Sequence, residues 1–403
     1  MDITVPQLRK TPSKSRNHHA SINKRYCIRR IRSICAGLLC LLAVWGCDKQ
    51  ISPPERSTGA PAANNSAFDI DSQAATKHMW QHFSTQNENA IQQAELLASL
   101  TRSFLQQPSP ESLKNAQQQW HTAEQSLFGL TLLFKITNAD TALLQLDFVP
   151  DYRLTASPIQ PGYLDRYGPY LYSGLVFDIG TPITATSLIH QHGLTDKAEV
   201  VLGIYAIEFM LFGENGARSA NDYSEHRKLD SEHIAASLNS IEEIPNNRRR
   251  RLLQLQIDLL IQDLSDIHTR LVSSPTTSPE DIWSAYGAQV QLQYVHNSVD
   301  GILTQALIDI VNLQTSLSTL PSAEQLPEPA REFNGAEAIA NIHTKLNTID
   351  AALKYYSDVE RATIQNALDQ AQQELTTNAI NSNNAEQIRD TLQRTYELLK
   401  SII

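Results

Sequence analysis

The chain has 403 residues, 33 Lys and Arg against 43 Asp and Glu, a net charge of −10 and 41% apolar residues. That length accommodates two domains of ordinary size. The acidic balance argues against nucleic acid and anionic membrane surfaces as partners. The N-terminus is the exception: residues 1–46 hold nine basic residues and a single acid, Asp2. The apolar run Ile34–Gly46 follows, and a basic region before such a run is the pattern of a secretory signal. The run falls short of the roughly 20 apolar residues of a membrane-spanning helix.

The run ends in VWGC, which resembles a bacterial lipobox, although Trp45 stands where a small residue is usual. Residues 1–47 are therefore expected to be a lipoprotein signal, with export to the cell envelope and lipid anchoring at Cys47. Asp48 resembles an inner-membrane retention signal of enteric bacteria, so the choice of membrane stays open. All four cysteines (Cys27, Cys35, Cys40 and Cys47) lie at or before that point, which excludes a disulfide framework or a Cys-ligated zinc site beyond it. After position 46 there are 24 basic and 42 acidic residues, a net charge near −18. Residues 48–67, rich in Pro, Ser, Gly and Asn, read as a flexible tether.

A 3.6-residue period dominates from about residue 70. Ala90, Ala94, Leu97, Thr101 and Phe104 share one helix face, and the pattern stops before Pro108. Ser109 and Pro110 supply an N-cap and a first-turn proline for a second helix through Trp120 and Leu127. SPED at Ser278–Asp281 repeats the device before Trp283. Leu253, Ile257, Leu260, Leu264, Ile267 and Leu271 form a seam suited to an antiparallel bundle. Ile388, Leu392, Tyr396, Leu399 and Ile403 predict a last helix. Leu143–Val149 is the best strand candidate, and it stands alone. Residues 145–185 form one long irregular region, of the kind that is usually functional or packed as a surface excursion. The arginine run in Asn246–Arg251 opposes the helix macrodipole and reads as a solvated face, with an anion patch as the other reading. The expected fold class is all-α, with up-and-down antiparallel helices in two bundle domains, 68–243 and 244–403.

The segment GIYAIEFMLFGE, Gly203–Glu214, carries the chemistry. A helix is expected over 199–212, with Gly213 as its stop. It has no polar face, so it is buried and takes Glu208 inside with it. A lone ionised carboxylate there is too costly to keep. It needs a cationic partner, a metal or a raised pKa. Tyr205, three residues earlier, shares its face. Gly203 inside the helix costs about 1 kcal/mol relative to Ala, which suggests a close approach of another backbone or a ligand.

Gly203–Ser224 resembles the signature of the imelysin-like family, GxHxxE within GxHAIEFLLWG, followed by an Arg and an Asp-Tyr pair. Gly203, Ala206, Ile207, Glu208, Phe209, Leu211, Gly213, Arg218, Asp222 and Tyr223 match it. Pro108–Trp120, Pro161–Asp165 and the segment opening with the arginine run resemble further family stretches in the expected order. The resemblance implies an all-helical fold of two bundle-like domains in exported bacterial proteins linked to iron acquisition. Some members of the family are described as peptidases and others as metal-binding components of iron uptake. It also implies envelope iron-uptake components as partners.

The chain departs from the signature at one ligand: Tyr205 stands where the family has histidine. A second-half motif is only faintly echoed in Tyr294–Gly301, with Val299 in the histidine's place. Neutral imidazole is the general ligand for divalent metals, whereas phenolate suits ferric iron (Fe3+). Three readings of Tyr205 and Glu208 follow: a Fe3+ variant, a site that no longer holds metal, or a structural pair satisfied by Arg218 or another buried donor. Gly203, Arg218, Asp222 and Glu124 are the supporting candidates. Glu124 is one that could face the bundle interior. His190 and His192 read as exposed loop residues. His78 and His82 have helical spacing but no accompanying Glu. The chain lacks HExxH, GxSxG, a P-loop and a dinucleotide fingerprint.

Overall fold

A computed structural model describes residues 72–272, 277–319, 339–377 and parts of 389–401. The expected signal with Cys47, the tether and most of the Ile388–Ile403 helix lie outside the described residues. Among the described residues the fold is all-α with no strand, and no helix is long and apolar enough to cross a membrane.

Helix α1 (Ser72–Gln106) buries Phe83, Ala90, Ala94, Leu97, Thr101 and Phe104, the face its periodicity predicts. Helix α2 (Pro110–Phe128) begins where Ser109 caps it: the Ser109 hydroxyl accepts from the Ser112 amide at 3.1 Å, and the Ser112 hydroxyl accepts from the Ser109 amide at 3.1 Å. Joined only by residues 107–109, α1 and α2 run antiparallel, with the Gln119 amide donating to the Gln93 carbonyl at 3.1 Å. After α3 (Thr131–Ala139) come three short helices, α4 (Pro150–Thr155), α5 (Ala185–Gln191) and α6 (Ile204–Phe212).

Helix α7 (Ser231–Ala235) precedes α8 (Pro245–Val272), which buries Leu253, Ile257, Leu260, Leu264 and Ile267 against α1 and α6. The Asn87 amide of α1 donates to the Leu264 carbonyl at 3.0 Å. Helix α9 (Pro279–Ser284) opens with the Ser278–Asp281 capping box. Helix α10 (Ala288–Thr319) packs on α3 and on the 3-10 turn Thr348–Tyr355; α11 (Asp358–Thr377) follows. Trp283 donates to the Tyr355 hydroxyl at 2.7 Å, which also bonds Thr76 of α1 at 2.8 Å. Packing thus runs across position 243: α8, which opens the expected second domain, lies on α1 and α6.

Three local expectations are corrected. Leu143–Val149 is not a strand: Leu143 and Leu144 are both buried on a turn, and Gln145 has φ +51°, which breaks any period of two. The helix expected over 199–212 begins only at Ile204. The arginine run is not simply a solvated face. Arg248 is buried and donates to the carbonyls of Leu175, Val176, Asp178 and Thr181 at 2.6–3.0 Å, holding the long irregular region onto α8. Arg249 is buried on the Asp165 carboxylate at 2.6 and 3.0 Å, while Arg251 stays exposed.

Candidate functional site

Backbone geometry sets where α6 starts. Gly203 is its N-cap at φ +90°, and an added Cβ would stand 2.7 Å from the Leu154 carbonyl oxygen. Only glycine tolerates both conditions. The close approach expected at Gly203 is therefore real, but it is made by the α4 backbone and lies at the helix entrance, not inside it. The preceding residues are buried and outside any helix, so their polar groups need partners. His192 Nδ1 accepts from the Val201 and Leu202 amides, each at 3.2 Å, and the Gln256 amide donates to the Val201 carbonyl at 2.8 Å. Burial, with the Arg153 charge added, pushes the His192 imidazole down to about 4. His192 is thus a neutral acceptor inside the fold, not an exposed loop residue. The Trp120 indole completes the entrance by donating to the Ile204 carbonyl at 2.8 Å.

The end of α6 is clamped by the later part of the signature. Gly213 turns the chain at φ +69°, and the Arg218 amide donates to the Phe212 carbonyl at 2.8 Å. The Arg218 guanidinium reaches the Phe209 carbonyl at 3.2 Å and Asp165 at 2.8 Å. The Tyr223 hydroxyl donates to the Met210 carbonyl at 2.5 Å. Asp222 bonds Arg166 at 2.8 Å and lies 3.7 Å from Arg218. Burial pushes the Asp165 carboxyl up. The Arg249 hydrogen bonds and the charges of Arg249 and Arg218 outweigh it and hold the carboxyl below the ordinary range. Arg218 and Asp222 therefore position α6 through its C-terminus. The Arg218 guanidinium is engaged by Asp165, not by Tyr205.

Between these two clamps, Tyr205 hydrogen-bonds Glu124 of α2. Glu124 is 4% exposed and accepts from the Asn341 amide at 3.3 Å. Burial, then the charge and hydrogen bond of Glu124, then the charge of Glu208, drive the phenol well above its ordinary range. Tyr205 is thus a neutral donor to a carboxylate. Glu208, one turn on, is half-buried, not enclosed. Asp309 of α10 adds to the same field and is paired with Lys345 at 2.7 Å, whose ammonium lies 4.4 Å over the Phe128 ring. The polar cluster therefore gathers α2, α6, α10 and the helical stretch 339–347.

Of the sequence candidates, Tyr205, Glu208 and Glu124 come together; Gly203, Arg218 and Asp222 hold the helix ends. Asn341, Asp309 and Lys345 were missed. Asp309 carried the same signal as Glu208, an acid inside the apolar run ALIDIV. Tyr205, Glu124, Glu208 and Asp309 offer oxygen atoms only, and the phenol's proton is directed to Glu124. Among the described residues, the one place where three His, Cys, Asp or Glu ligand atoms fall within 4.8 Å of one another is elsewhere, at His226, Asp230 and His233. Tyr205, with its proton directed to Glu124, does not supply the imidazole that a divalent centre of the family's signature takes.

The imelysin family profile matches residues 84–390. No curated protein matches the chain. Among solved structures, the chain is similar to an imelysin-like protein from Psychrobacter arcticum 273-4. The two are 18% identical over 82% of this chain and 94% of that one, with a TM-score of 0.43. The profile match spans most of the sequence, and the chain belongs to the imelysin family.

Proposed function

We propose that this protein is an exported imelysin-family lipoprotein, anchored through Cys47 at the cell envelope. It acts as a binding component linked to iron acquisition, and its partners are other iron-uptake components of the envelope. It is not a peptidase. The family match over residues 84–390 carries this reading, and the Tyr205 phenol directed at Glu124 speaks against a peptidase. Metal-assisted hydrolysis needs several protein ligands and an activated water, and here the motif position holds a protonated phenol. The basic–apolar leader and the lipobox-like VWGC support the anchored location.

The test uses the full chain. Chelator-sensitive peptide cleavage is expected to be absent, and Fe3+ is expected to give no tyrosinate charge-transfer band. Tyr205→His is expected to acquire divalent-metal binding beside Glu208. Cleavage lost on chelation and in Glu208→Ala would restore the peptidase reading. A second reading, retention of Fe3+, is favoured by the all-oxygen set of Tyr205, Glu124 and Glu208, which suits a hard ion. A band that vanishes in Tyr205→Phe decides for it.

A further inference from the structure

Beyond the signature, the segment EHRKLDSEH (Glu225–His233) leaves α6 and returns toward α8. His226, Asp230 and His233 each place a ligand atom within 4.8 Å of the other two. Both imidazoles are partly buried, and the Asp230 side chain is 51% exposed. The His226 and His233 rings stand edge to face with centroids 5.1 Å apart.

The scaffold around them is fixed. Asn247, in the first turn of α8, accepts from the His226 amide at 3.0 Å. It donates to the His226 carbonyl at 2.7 Å and to the Ile241 carbonyl at 2.8 Å. One side chain thus pins both ends of the loop. The Asp230 carboxylate is aimed by the amides of Glu232 at 3.0 Å and His233 at 2.9 Å. His233 Nδ1 lies 2.9 Å from Asp230 Oδ1 and 3.4 Å from the Asp230 amide nitrogen. Deprotonated, this ring nitrogen accepts from the amide and closes a capping box; protonated, it donates to the carboxylate. The capping box accounts for Asp230 and His233; it gives no reason for the second imidazole beside them.

We infer that His226, Asp230 and His233 form a binding site for a first-row divalent cation of the zinc, cobalt or iron(II) kind. Two imidazoles and one carboxylate are the donors such ions take. Calcium and magnesium, which demand shells of oxygen, are disfavoured. Donor atoms around a tetrahedral ion with bonds of about 2.0–2.1 Å sit roughly 3.4 Å apart. The exposed Asp230 edge leaves the remaining positions to water, so the ion is exchangeable. Bound there, it ties the loop after the signature to the start of α8. The inference does not rest on the proposed function, because the Tyr205 cluster contributes no ligand to it.

Cobalt(II) titrated into the full chain tests it. The expected result is one equivalent with visible d–d absorption, displaced by zinc and retained in Tyr205→Phe. His226→Gln and His233→Gln should each weaken binding by more than about tenfold, the lower end of what even outer-shell partners cost. Circular dichroism checks that both variants stay folded. Asp230→Asn keeps the capping oxygen but removes the charge, and it too should weaken binding. No cobalt absorption in the wild type, or wild-type affinity in both histidine variants, overturns the site. If the histidine variants do not fold, unchanged affinity in Asp230→Asn overturns it.

Discussion

Two carboxylates in this protein are buried for different reasons, and single substitutions should separate them. Glu124 is held by a phenol and an amide, both neutral donors. Tyr205→Phe removes one of them and leaves a buried acceptor short of a partner, at a cost of about 1–3 kcal/mol. A urea titration should show the midpoint falling with an unchanged slope. Asp165 is held by two buried guanidiniums, Arg218 at 2.8 Å and Arg249 at 2.6 Å. Asp165→Asn removes the charge that both guanidiniums share and leaves them only the more distant Asp222, and breaking a buried pair in this way costs about 3–5 kcal/mol. The same titration should rank Asp165→Asn as the more destabilising change. An equal or smaller loss would mean that the clamp at the end of α6 does not depend on this charge. Neither contact was legible in the sequence. Glu124 and Tyr205 are 81 positions apart, and no local period couples an acid on one helix to a phenol on another. The sequence predicts Glu208 in the interior, whereas it is half-buried, and no local pattern could show that the tyrosine would hold Glu124 instead.

Helices with long periodic faces and side-chain caps were legible: α1 ends two residues before Pro108, and α2 and α9 start at the serine–proline devices. The entrance to α6 was not. Val200, Val201 and Leu202 have the composition of the helix that follows, and what stops them from joining it is remote in sequence. His192, Gln256 and the α4 backbone satisfy or obstruct them. The arginine run was misread because composition reports charge, whereas its burial depends on carbonyls supplied by a loop some 70 residues earlier. Gly203→Ala tests the account of the entrance. The new Cβ would meet backbone oxygen at 2.7 Å in a left-handed conformation, so a loss of at least about 2 kcal/mol is expected. A thermal melt of the variant checks it. A loss no larger than the ordinary glycine-to-alanine effect would show that α6 could start earlier.

Across the whole molecule the all-α class follows from periodicity, and the order of the motifs followed from the family signature. The pH behaviour follows from neither, because groups that only the tertiary structure buries contribute to it, Asp263 and His192 among them. Burial outweighs the Arg153 guanidinium 3.7 Å away, and with Asp266 and Asp147 it pushes the Asp263 carboxyl up to about 7. Its unfolded value is about 3.9. Between those values the folded chain holds a proton that the unfolded chain has lost, so stability falls as pH rises. His192 acts in the opposite sense. Its folded value is about 4 against about 6.5 unfolded, so stability rises with pH across that interval. Each contributes a slope of up to about 1.4 kcal/mol per pH unit, and the windows overlap from about 4 to 6.5. The two slopes should largely cancel in the wild type, leaving urea stability nearly flat there as far as these groups decide it. Asp263→Asn removes the falling limb, so its stability should climb with pH through that window. His192→Gln removes the rising limb and should show the reverse. Parallel pH profiles in both variants would mean that these two buried groups do not set the acid response of the fold.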